Sequence, residues 1–228
     1  MITGANRGLG LEFVRQLTAS NDNTILACVR SLSGELDELK TLAKDKSVHI
    51  IECNTGDVPS IKKAGEEVTK ALNGRQLNYL LNNAGINNVP ARNALDVTPE
   101  EIREHIEVNV IGPAEVVKAV ERHLGKGSVV MNMTSGLGSV GLSIVKCTAY
   151  AISKCALNML NNHQADALKE KGVRVFVMDP GWVKTRMGGE GAVLTPEESI
   201  SGMLKVLHSG KTDDSGSFYQ YDGQNKPW

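Results

Sequence analysis

Several features that would point directly to a function are missing from this sequence. No apolar run is long enough to span a bilayer, and no signal peptide precedes the first glycine-rich stretch. The net charge is −1 and the lysines and arginines are scattered, so the sequence has no basic patch for nucleic acids or membrane surfaces. The five histidines form no ligand cluster. We therefore expect no metal site, no nucleic-acid partner and no membrane partner.

The four cysteines form no C-x-x-C pair, and three of them lie in apolar segments. They are Cys28, Cys53, Cys147 and Cys155. Such cysteines are typical of reduced packing residues rather than of disulfides or metal ligands, which predicts a cytoplasmic protein. No linker divides the 228 residues, of which 41% are hydrophobic, so residues 1–228 are expected to form a single domain.

Short apolar runs and amphipathic segments alternate along the chain. The apolar runs are predicted strands, at 24–29, 48–53, 77–81, 128–133, 173–178 and 217–221. The amphipathic segments are predicted helices, at 11–17, 36–44, 57–72, 98–123, 150–171 and 195–208. Gly112-Pro113 is expected to kink the fourth of these helices. The alternation predicts an α/β fold with a doubly wound parallel sheet.

A glycine-rich loop, Thr3-Gly4-Ala5-Asn6-Arg7-Gly8-Leu9-Gly10, opens the chain and runs into the first predicted helix. Glycines at this spacing allow a tight turn and a close approach to a pyrophosphate, which the start of the helix then binds. Taken alone, the loop also fits an ordinary strand-to-helix turn. Only Met1 and Ile2 precede Thr3, so the first strand is expected to be shortened.

Polar residues and one Pro-Gly pair directly follow predicted strands. They should therefore line one edge of the sheet, where ligands bind in such folds. They are Arg30, Asn54, Asn82, Ser135 and Pro180-Gly181. Tyr150 and Lys154 are four residues apart and share one helix face. That spacing also occurs by chance in an amphipathic helix with an exposed lysine. Asn109 is unfavourable within a helix unless its side chain has a task, although a solvent-facing or kink-associated role is equally open.

Together these motifs resemble the short-chain dehydrogenase/reductase family, in the family's order and over the whole chain. The matching motifs are Thr3-Gly4-x-x-x-Gly8-x-Gly10, Asn82-Asn83-Ala84-Gly85, Asn109, Ser135, Tyr150-x-x-x-Lys154 and Pro180-Gly181. Asp179-Pro180-Gly181-Trp182-Val183-Lys184-Thr185 and Tyr221-Asp222-Gly223 further resemble the sniffer-type and C-factor-type carbonyl reductases. The resemblance implies a Rossmann fold and an NADPH-dependent oxidoreductase that reduces an aldehyde or ketone to an alcohol.

The resemblance also implies a role for each catalytic residue. Tyr150 would be the general acid, and Lys154 would lower its pKa and hold the nicotinamide ribose. Ser135 would orient the substrate carbonyl, and Asn109 would anchor a water in the proton path. Ser135 lies fifteen residues before Tyr150, slightly more than is usual in the family, so Ser139 remains an alternative.

The cofactor is expected to be NADP(H), because the acidic residue that binds the adenosine ribose in NAD enzymes is missing after the second strand. Arg30 stands there instead, and Arg7 lies near the same end of the cofactor, so two arginines would bind a 2′-phosphate. The less favoured alternative is that Arg30 only caps the strand in solvent. The cofactor-binding residues that the resemblance implies are Gly4, Asn6, Arg7, Gly8, Leu9, Arg30, Asn54, Thr55, Asn82, Ala84, Gly85, Tyr150, Lys154, Pro180, Gly181, Val183 and Thr185.

Some alternatives stay open at this point. A non-catalytic NADP-binding regulator or sensor would keep the same fold, and Trp182 either lines the substrate pocket or simply packs. The family implies a homo-oligomer, either a dimer or a tetramer. The helical segments 102–124 and 151–168 would form the contact between subunits. The apolar residues of the second segment are nevertheless expected to face the sheet: Ile152, Cys155, Ala156, Met159 and Leu160. Apolar residues added before Met1 are expected to raise stability and tighten NADPH binding.

Overall fold

The computed structural model describes residues 1–44, 47–209 and 214–228. Its strands are β1 (Ile2–Thr3), β2 (Ile25–Val29), β3 (Val48–Glu52), β4 (Tyr79–Asn82), β5 (Val129–Met133), β6 (Arg174–Asp179) and β7 (Phe218–Gln220). Its α-helices are α1 (Gly8–Leu17), α2 (Asp37–Ala43), α3 (Val58–Leu72), α4 (Pro99–Ile106), α5 (Gly112–Val120), α6 (Thr148–Leu168) and α7 (Pro196–Ser209). These bounds agree closely with the predicted elements, because the apolar runs of buried parallel strands have clear ends.

All strands form one parallel sheet in the order β3-β2-β1-β4-β5-β6-β7. One face of the sheet packs against α1, α2 and α7, and the other packs against α3, α5 and α6. The strand order reverses beside β1, so the crevice at the carboxyl ends of β1 and β4 is the expected ligand site of such a sheet. The predicted doubly wound α/β fold in a single domain is confirmed.

The first strand is short, as predicted, yet it is paired on both sides. Ile2 is in register with Ala27 of β2 and with Leu81 of β4. Met1 extends the pairing, because its carbonyl accepts a hydrogen bond from the Leu81 N–H at 2.8 Å. The Met1 ammonium donates to the Tyr79 carbonyl at 2.7 Å, and its burial lowers the pKa of this amine to about 6. The backbone groups next to Met1 on β4 are therefore satisfied.

Next to Gly112-Pro113, where a kink is predicted, a π-helical turn, residues Glu107–Ile111, joins α4 to α5. The Gly112 N–H donates to the Glu107 carbonyl, one residue further back than in an α-helix. Pro113 has no N–H to donate to the carbonyl of Asn109, so the regular hydrogen-bond pattern cannot continue through this point. Such single π-turns occur frequently at functional sites, and this one contains Asn109.

The face of α6 that packs against the sheet is more polar than predicted. Ser153, Lys154, Asn158, Asn161 and Gln164 are among its buried residues. The side chains that the apolar pattern placed against the sheet lie largely outward instead, with Ile152 and Met159 exposed. The prediction for this face was wrong, because hydrophobic spacing could not reveal that the opposing strand β5 offers amide partners to α6.

No helix in the described part of the chain is both long and apolar enough to cross a membrane.

Candidate active site

The glycine-rich loop connects β1 to α1 at the point where the sheet order reverses. Gly4 has φ +68°, a conformation that costs most residues free energy but not glycine. A Cβ on Gly10 would lie 2.1 Å from the Gly4 carbonyl oxygen, so only glycine allows the helix to approach the loop this closely. The first turn of α1 has no acidic residue and no side-chain cap. The positive end of the helix dipole is therefore available to an anion.

Two exposed arginines lie near this loop. Arg7 immediately precedes α1, and Arg30 follows the end of β2. Neither guanidinium forms an ion pair within the described residues. Asn6 donates from its amide to the Glu35 carbonyl at 3.4 Å, and Leu9 packs partly against the core. The adenosine end of a dinucleotide would therefore meet two positive charges in this region.

The segment after β3 is shaped by its own hydrogen bonds. Asn54 accepts at Oδ1 from the Gly56 N–H at 3.2 Å, which forms a local turn. Thr55 is buried beneath α5, where a Cβ on Gly112 would lie 2.5 Å from the Thr55 carbonyl oxygen. One of the two acceptor lone pairs of the Asn54 amide oxygen is therefore used in the local turn.

Asn82 differs from the expectation for a cofactor-binding side chain. It is buried, and its Nδ2 donates to Asn132 Oδ1 on β5 at 2.9 Å. Asn132 in turn donates to Asn161 Oδ1 and Gln164 Oε1 on α6, at 3.0 and 2.9 Å. The Asn82 Nδ2 is therefore used inside the protein, while its buried Oδ1 has no hydrogen-bond partner among the described residues.

The next residue, Asn83, has a structural role that the motif alone did not indicate. Its Nδ2 donates to the Thr3 carbonyl at 2.8 Å. Thr3 Oγ1 accepts from the backbone N–H groups of Asn83 and Ala84, each at 3.0 Å. These bonds tie the end of β4 to the short β1 and so fix the start of the glycine-rich loop. A signal was present in the sequence, since a buried Thr3 beside an amide pair needs polar partners.

Tyr150, Ser135 and Lys154 lie together at the carboxyl edge of the sheet. Ser135 follows β5, and its side chain forms a hydrogen bond with that of Tyr150. Lys154, one turn along α6, has its ammonium 5.5 Å from the centre of the Tyr150 ring. The predicted trio is thus brought to one place, with a hydroxyl pair that can hold a polar atom between them.

The charges around the trio differ from what the sequence suggested. The pKa of Tyr150 is raised, first by burial of its hydroxyl and next by the nearby Asp179 carboxylate, while the bond to Ser135 lowers it. Burial lowers the pKa of Lys154 to about 7. Lys154 Nζ donates to the Met133 carbonyl at 2.7 Å, so its main partner is the strand end and not the phenol. The expected lowering of the Tyr150 pKa by Lys154 is therefore not found.

Asn109 lies behind Lys154, and its side-chain amide is fully bonded. Its Nδ2 donates to the Ile86 carbonyl at 3.0 Å and to Ser153 Oγ at 2.9 Å, and its Oδ1 accepts from the Ile86 N–H at 2.9 Å. A Cβ on Gly85 would lie 3.1 Å from Asn109 Oδ1 and 3.4 Å from Lys154 Nζ. The open-solvent alternative for Asn109 is excluded, because the residue is fully buried.

Ser139, the alternative to Ser135, is engaged elsewhere. Its hydroxyl donates to the Pro227 carbonyl at 2.7 Å and accepts from the Leu142 N–H at 3.0 Å. It is also buried, with only 3% of its surface exposed. The geometry therefore favours Ser135 as the serine beside the tyrosine.

The segment after β6 returns to the glycine-rich loop. Gly181 has φ +77°, and a Cβ there would lie 2.5 Å from Leu194. Val183 is buried and forms an isolated parallel β-bridge with Leu194. Thr185 lies beside the glycine-rich loop, 3.7 Å from where a Cβ on Gly8 would be. The Pro180 carbonyl accepts from the Ser199 hydroxyl at 2.7 Å. This segment thus contacts the start of α1 through Thr185.

Trp182 packs on its own loop. Its Nε1 donates to the Gly188 carbonyl at 2.7 Å, and a Cβ on Gly191 would lie 2.5 Å from its ring. The side chain is nonetheless 55% exposed. The packing interpretation is therefore correct for one side of the ring, and the other side is open.

The chain fits the dinucleotide that its motifs imply. The uncapped start of α1, the close Gly4–Gly10 approach and the free arginines suit a pyrophosphate and a further phosphate. Among the described residues, no group of three or more His, Cys, Asp or Glu side chains is arranged to hold a metal ion.

Comparison with known proteins agrees with this geometry. The family model described as short chain dehydrogenase matches residues 1–192. The NADPH-bound carbonyl reductase from chicken fatty liver is 35% identical, with a TM-score of 0.93, over 100% of this chain and 97% of that one. The carbonyl reductase Sniffer of Drosophila melanogaster is 30% identical, with a TM-score of 0.92, over 100% and 98% of the two chains. The C-signal protein of Myxococcus xanthus is 33% identical over 67% of this chain and 93% of its own. The chain therefore belongs to the short-chain dehydrogenase family, as its motifs predicted, and its fold is that of NADP(H)-binding carbonyl reductases.

Proposed function

We propose that this protein is an NADPH-dependent reductase that converts the carbonyl group of an aldehyde or ketone into an alcohol. The observation that carries the proposal is the cluster of Ser135, Tyr150 and Lys154 at the carboxyl edge of the sheet, beside the glycine-rich loop. A protein that only bound the cofactor would have no need of a hydroxyl pair next to a buried amine. The similarity to carbonyl reductases supports the same activity.

In this proposal each polar group of the cluster has one task. Ser135 donates a hydrogen bond to the substrate carbonyl oxygen and orients it toward Tyr150. Tyr150 gives its phenolic proton to that oxygen as negative charge develops there. Burial keeps the Tyr150 pKa high, so the phenol holds its proton until the substrate oxygen becomes basic. NADPH, when bound, supplies the hydride.

Lys154 and Asn109 would restore the proton. With a pKa of about 7, Lys154 is roughly half protonated at neutral pH, which suits a group that passes protons in both directions. Asn109 fixes the loop at Ile86 and the helix residue Ser153 around the Lys154 ammonium. The matching asparagine of the family anchors a water in the proton path, and Asn109 would have the same role here.

The residues proposed to hold the cofactor divide between its two ends. Gly4, Asn6, Gly8 and Leu9 would contact the pyrophosphate, and Arg7 and Arg30 would contact the 2′-phosphate of NADP(H). Asn54 Nδ2 and Thr55 would meet the adenine. The nicotinamide would lie against the remaining set: the Asn82 backbone, Ala84, Gly85, Tyr150, Lys154, Pro180, Gly181, Val183 and Thr185.

The test combines turnover with binding. We expect NADPH oxidation with at least one member of a panel of aldehydes and ketones, and a loss of at least about a hundredfold in kcat for Tyr150→Phe, because the proton donor is removed. The variant should bind NADPH as tightly as the wild type, measured by fluorescence titration. Tight binding without turnover on any compound would indicate the alternative, a non-catalytic NADP sensor. Equal rates for Tyr150→Phe would disprove the mechanism, and equal affinity for NADH and NADPH would contradict the NADP assignment.

The protein is further proposed to form homo-oligomers through the outward face of α6, where Ile152 and Met159 are exposed. The cytoplasmic location stays a prediction from the cysteines.

A further inference from the structure

An ion pair that the activity does not account for lies beside the reacting tyrosine. Lys226 Nζ is 3.0 Å from Asp179 Oδ2, and the two side chains are only 19% and 8% exposed. Asp179 ends β6, and its other oxygen, Oδ1, accepts from the Gly181 N–H at 3.0 Å. A Cβ on Gly136 would lie 3.2 Å from Asp179 Oδ2 and 3.3 Å from Lys226 Nζ. The pair therefore packs against the residue that follows Ser135.

The segment that carries Lys226 is held on both sides of it. The Lys226 N–H donates to the Phe218 carbonyl of β7 at 2.8 Å. The Pro227 carbonyl accepts from the Ser139 hydroxyl, and the Trp228 carbonyl accepts from the Gly141 N–H at 2.6 Å. Backbone contacts on both sides of Lys226 thus fix the position from which its side chain reaches Asp179.

The Asp179 carboxylate influences Tyr150 directly. In the described part of the chain, the titratable groups whose charge acts on the phenol are Asp179 from β6 and Cys147 just before α6, while the Lys154 ammonium faces the Tyr150 ring. Burial and the charge of Asp179 are the two largest causes that raise the Tyr150 pKa. A cation held against Asp179 reduces the negative potential that the carboxylate produces at the Tyr150 hydroxyl, because the fields of two opposite charges partly cancel at a distance from the pair.

We propose that Lys226 is a positioning residue for the reduction: its ammonium pairs with Asp179 and limits the negative charge that the carboxylate places beside the Tyr150 hydroxyl. This inference rests on the proposed function, in which Tyr150 is the proton donor. Lys226 acts through Asp179, and it touches neither the substrate nor the phenol.

Kinetics of four variants test the inference. A phenol with a higher pKa is a weaker proton donor, so kcat at neutral pH reports the charge that acts on Tyr150. We expect Lys226→Met to lower kcat by about threefold with KM nearly unchanged, Asp179→Asn to raise kcat, and Lys226→Arg to leave it in place. The double variant of Lys226→Met and Asp179→Asn should match Asp179→Asn alone. Lys118→Met, which removes a surface pair with Glu115, is the matched control and should leave kcat unchanged.

A second readout needs no turnover. In protein labelled with ¹³C at the tyrosine Cζ, and assigned with Tyr150→Phe, the Tyr150 signal reports ionisation directly. At the highest pH at which the fold persists, the ionised fraction should be larger in Asp179→Asn than in the wild type and smallest in Lys226→Met. A kcat of Lys226→Met equal to that of the wild type, or an ionised fraction of Asp179→Asn equal to that of the wild type, with a native thermal unfolding midpoint, overturns the ion-pair inference. Wild-type protein without turnover on any carbonyl overturns the proposed function instead, while the tyrosine signal still decides on Lys226.

Discussion

Lys154 is the residue at which stability and function conflict most clearly. Its side chain is 3% exposed and packs beneath the Tyr150 ring, and Met133 supplies its backbone acceptor. Burial disfavours the charged form, so the pKa falls from 10.5 to about 7. The protein thus contains an amine whose protonation changes near neutral pH, at a cost in folding free energy.

The cost has a defined pH window. Between pH 7 and pH 10.5 the unfolded chain binds a proton at Lys154 that the folded chain has released, so stability rises with pH across this window. Below pH 7 both states bind the proton and the whole cost is present. Without cofactor, Lys154→Met should therefore be more stable than the wild type at pH 6, by about 2–4 kcal/mol, with a difference that shrinks toward pH 10. Urea unfolding at several pH values measures this.

A surface lysine provides the comparison. Lys171 pairs with Glu121 and is 41% exposed, so Lys171→Met should change stability by less than about 1 kcal/mol at every pH. If Lys154→Met were less stable than the wild type at pH 6, the cost of burying this ammonium would have been misjudged.

Among the elements, β1 has the fewest residues and the most demanding position. It has two residues at the centre of the sheet, and the glycine-rich loop begins where it ends. Thr3 secures it, because one hydroxyl accepts from two backbone N–H groups of the β4 end. The precision of the cofactor loop should therefore depend on a threonine that meets no ligand.

Replacement of that hydroxyl tests the dependence. Thr3→Val keeps the shape of the side chain but leaves the Ala84 N–H without its acceptor, while the Asn83 N–H keeps only the Leu81 carbonyl. We expect a loss of about 1–3 kcal/mol in unfolding free energy and weaker NADPH binding. Thr18→Val is the control, because the Thr18 hydroxyl donates to one carbonyl at the end of α1, and it should cost under about 1 kcal/mol. Chemical unfolding and NADPH titration of both variants test this expectation. Equal losses of unfolding free energy and of NADPH affinity in the two variants would contradict the role of Thr3.

The positions of the elements could be predicted from the sequence, whereas some side-chain properties could not. Strand and helix positions followed from apolar spacing, and Tyr150, Ser135 and Lys154 met because each follows or begins an element at the same sheet edge. The orientation of Asn82 did not follow, since a strand residue can point to either face and only the partner Asn132 decides. The Tyr150 pKa did not follow either, because it depends on burial and on Asp179, which is distant in sequence.

At the scale of the whole molecule, the outward face of α6 is the surface that we propose to contact a second copy of the chain. Ile152 and Met159 lie two helical turns apart on it and are 42% and 60% exposed. A paired α6 would bury both side chains. Isolated exposed apolar residues are common, so the proposal depends on direct measurement.

The measurement is the molar mass in solution. We expect light scattering after size exclusion to show an oligomer for the wild type and a monomer for Met159→Arg, since a charge buried at such a contact is costly. Leu95→Arg is the control, because Leu95 is 96% exposed in a different region, and its variant should retain the wild-type mass. A wild-type monomer, or an unchanged Met159→Arg oligomer, would contradict this interface.

The amide chain Asn82–Asn132–Asn161, with Gln164, joins β4, β5 and α6 directly beneath the tyrosine cluster. Amides neither gain nor lose a proton across the range in which enzymes are assayed. These polar links between sheet and helix should therefore hold their geometry from acid to alkaline buffer, while the groups above them titrate. A pH profile of this protein would then report the chemistry of Tyr150, Lys154 and their charged neighbours, with little contribution from movement of the support below.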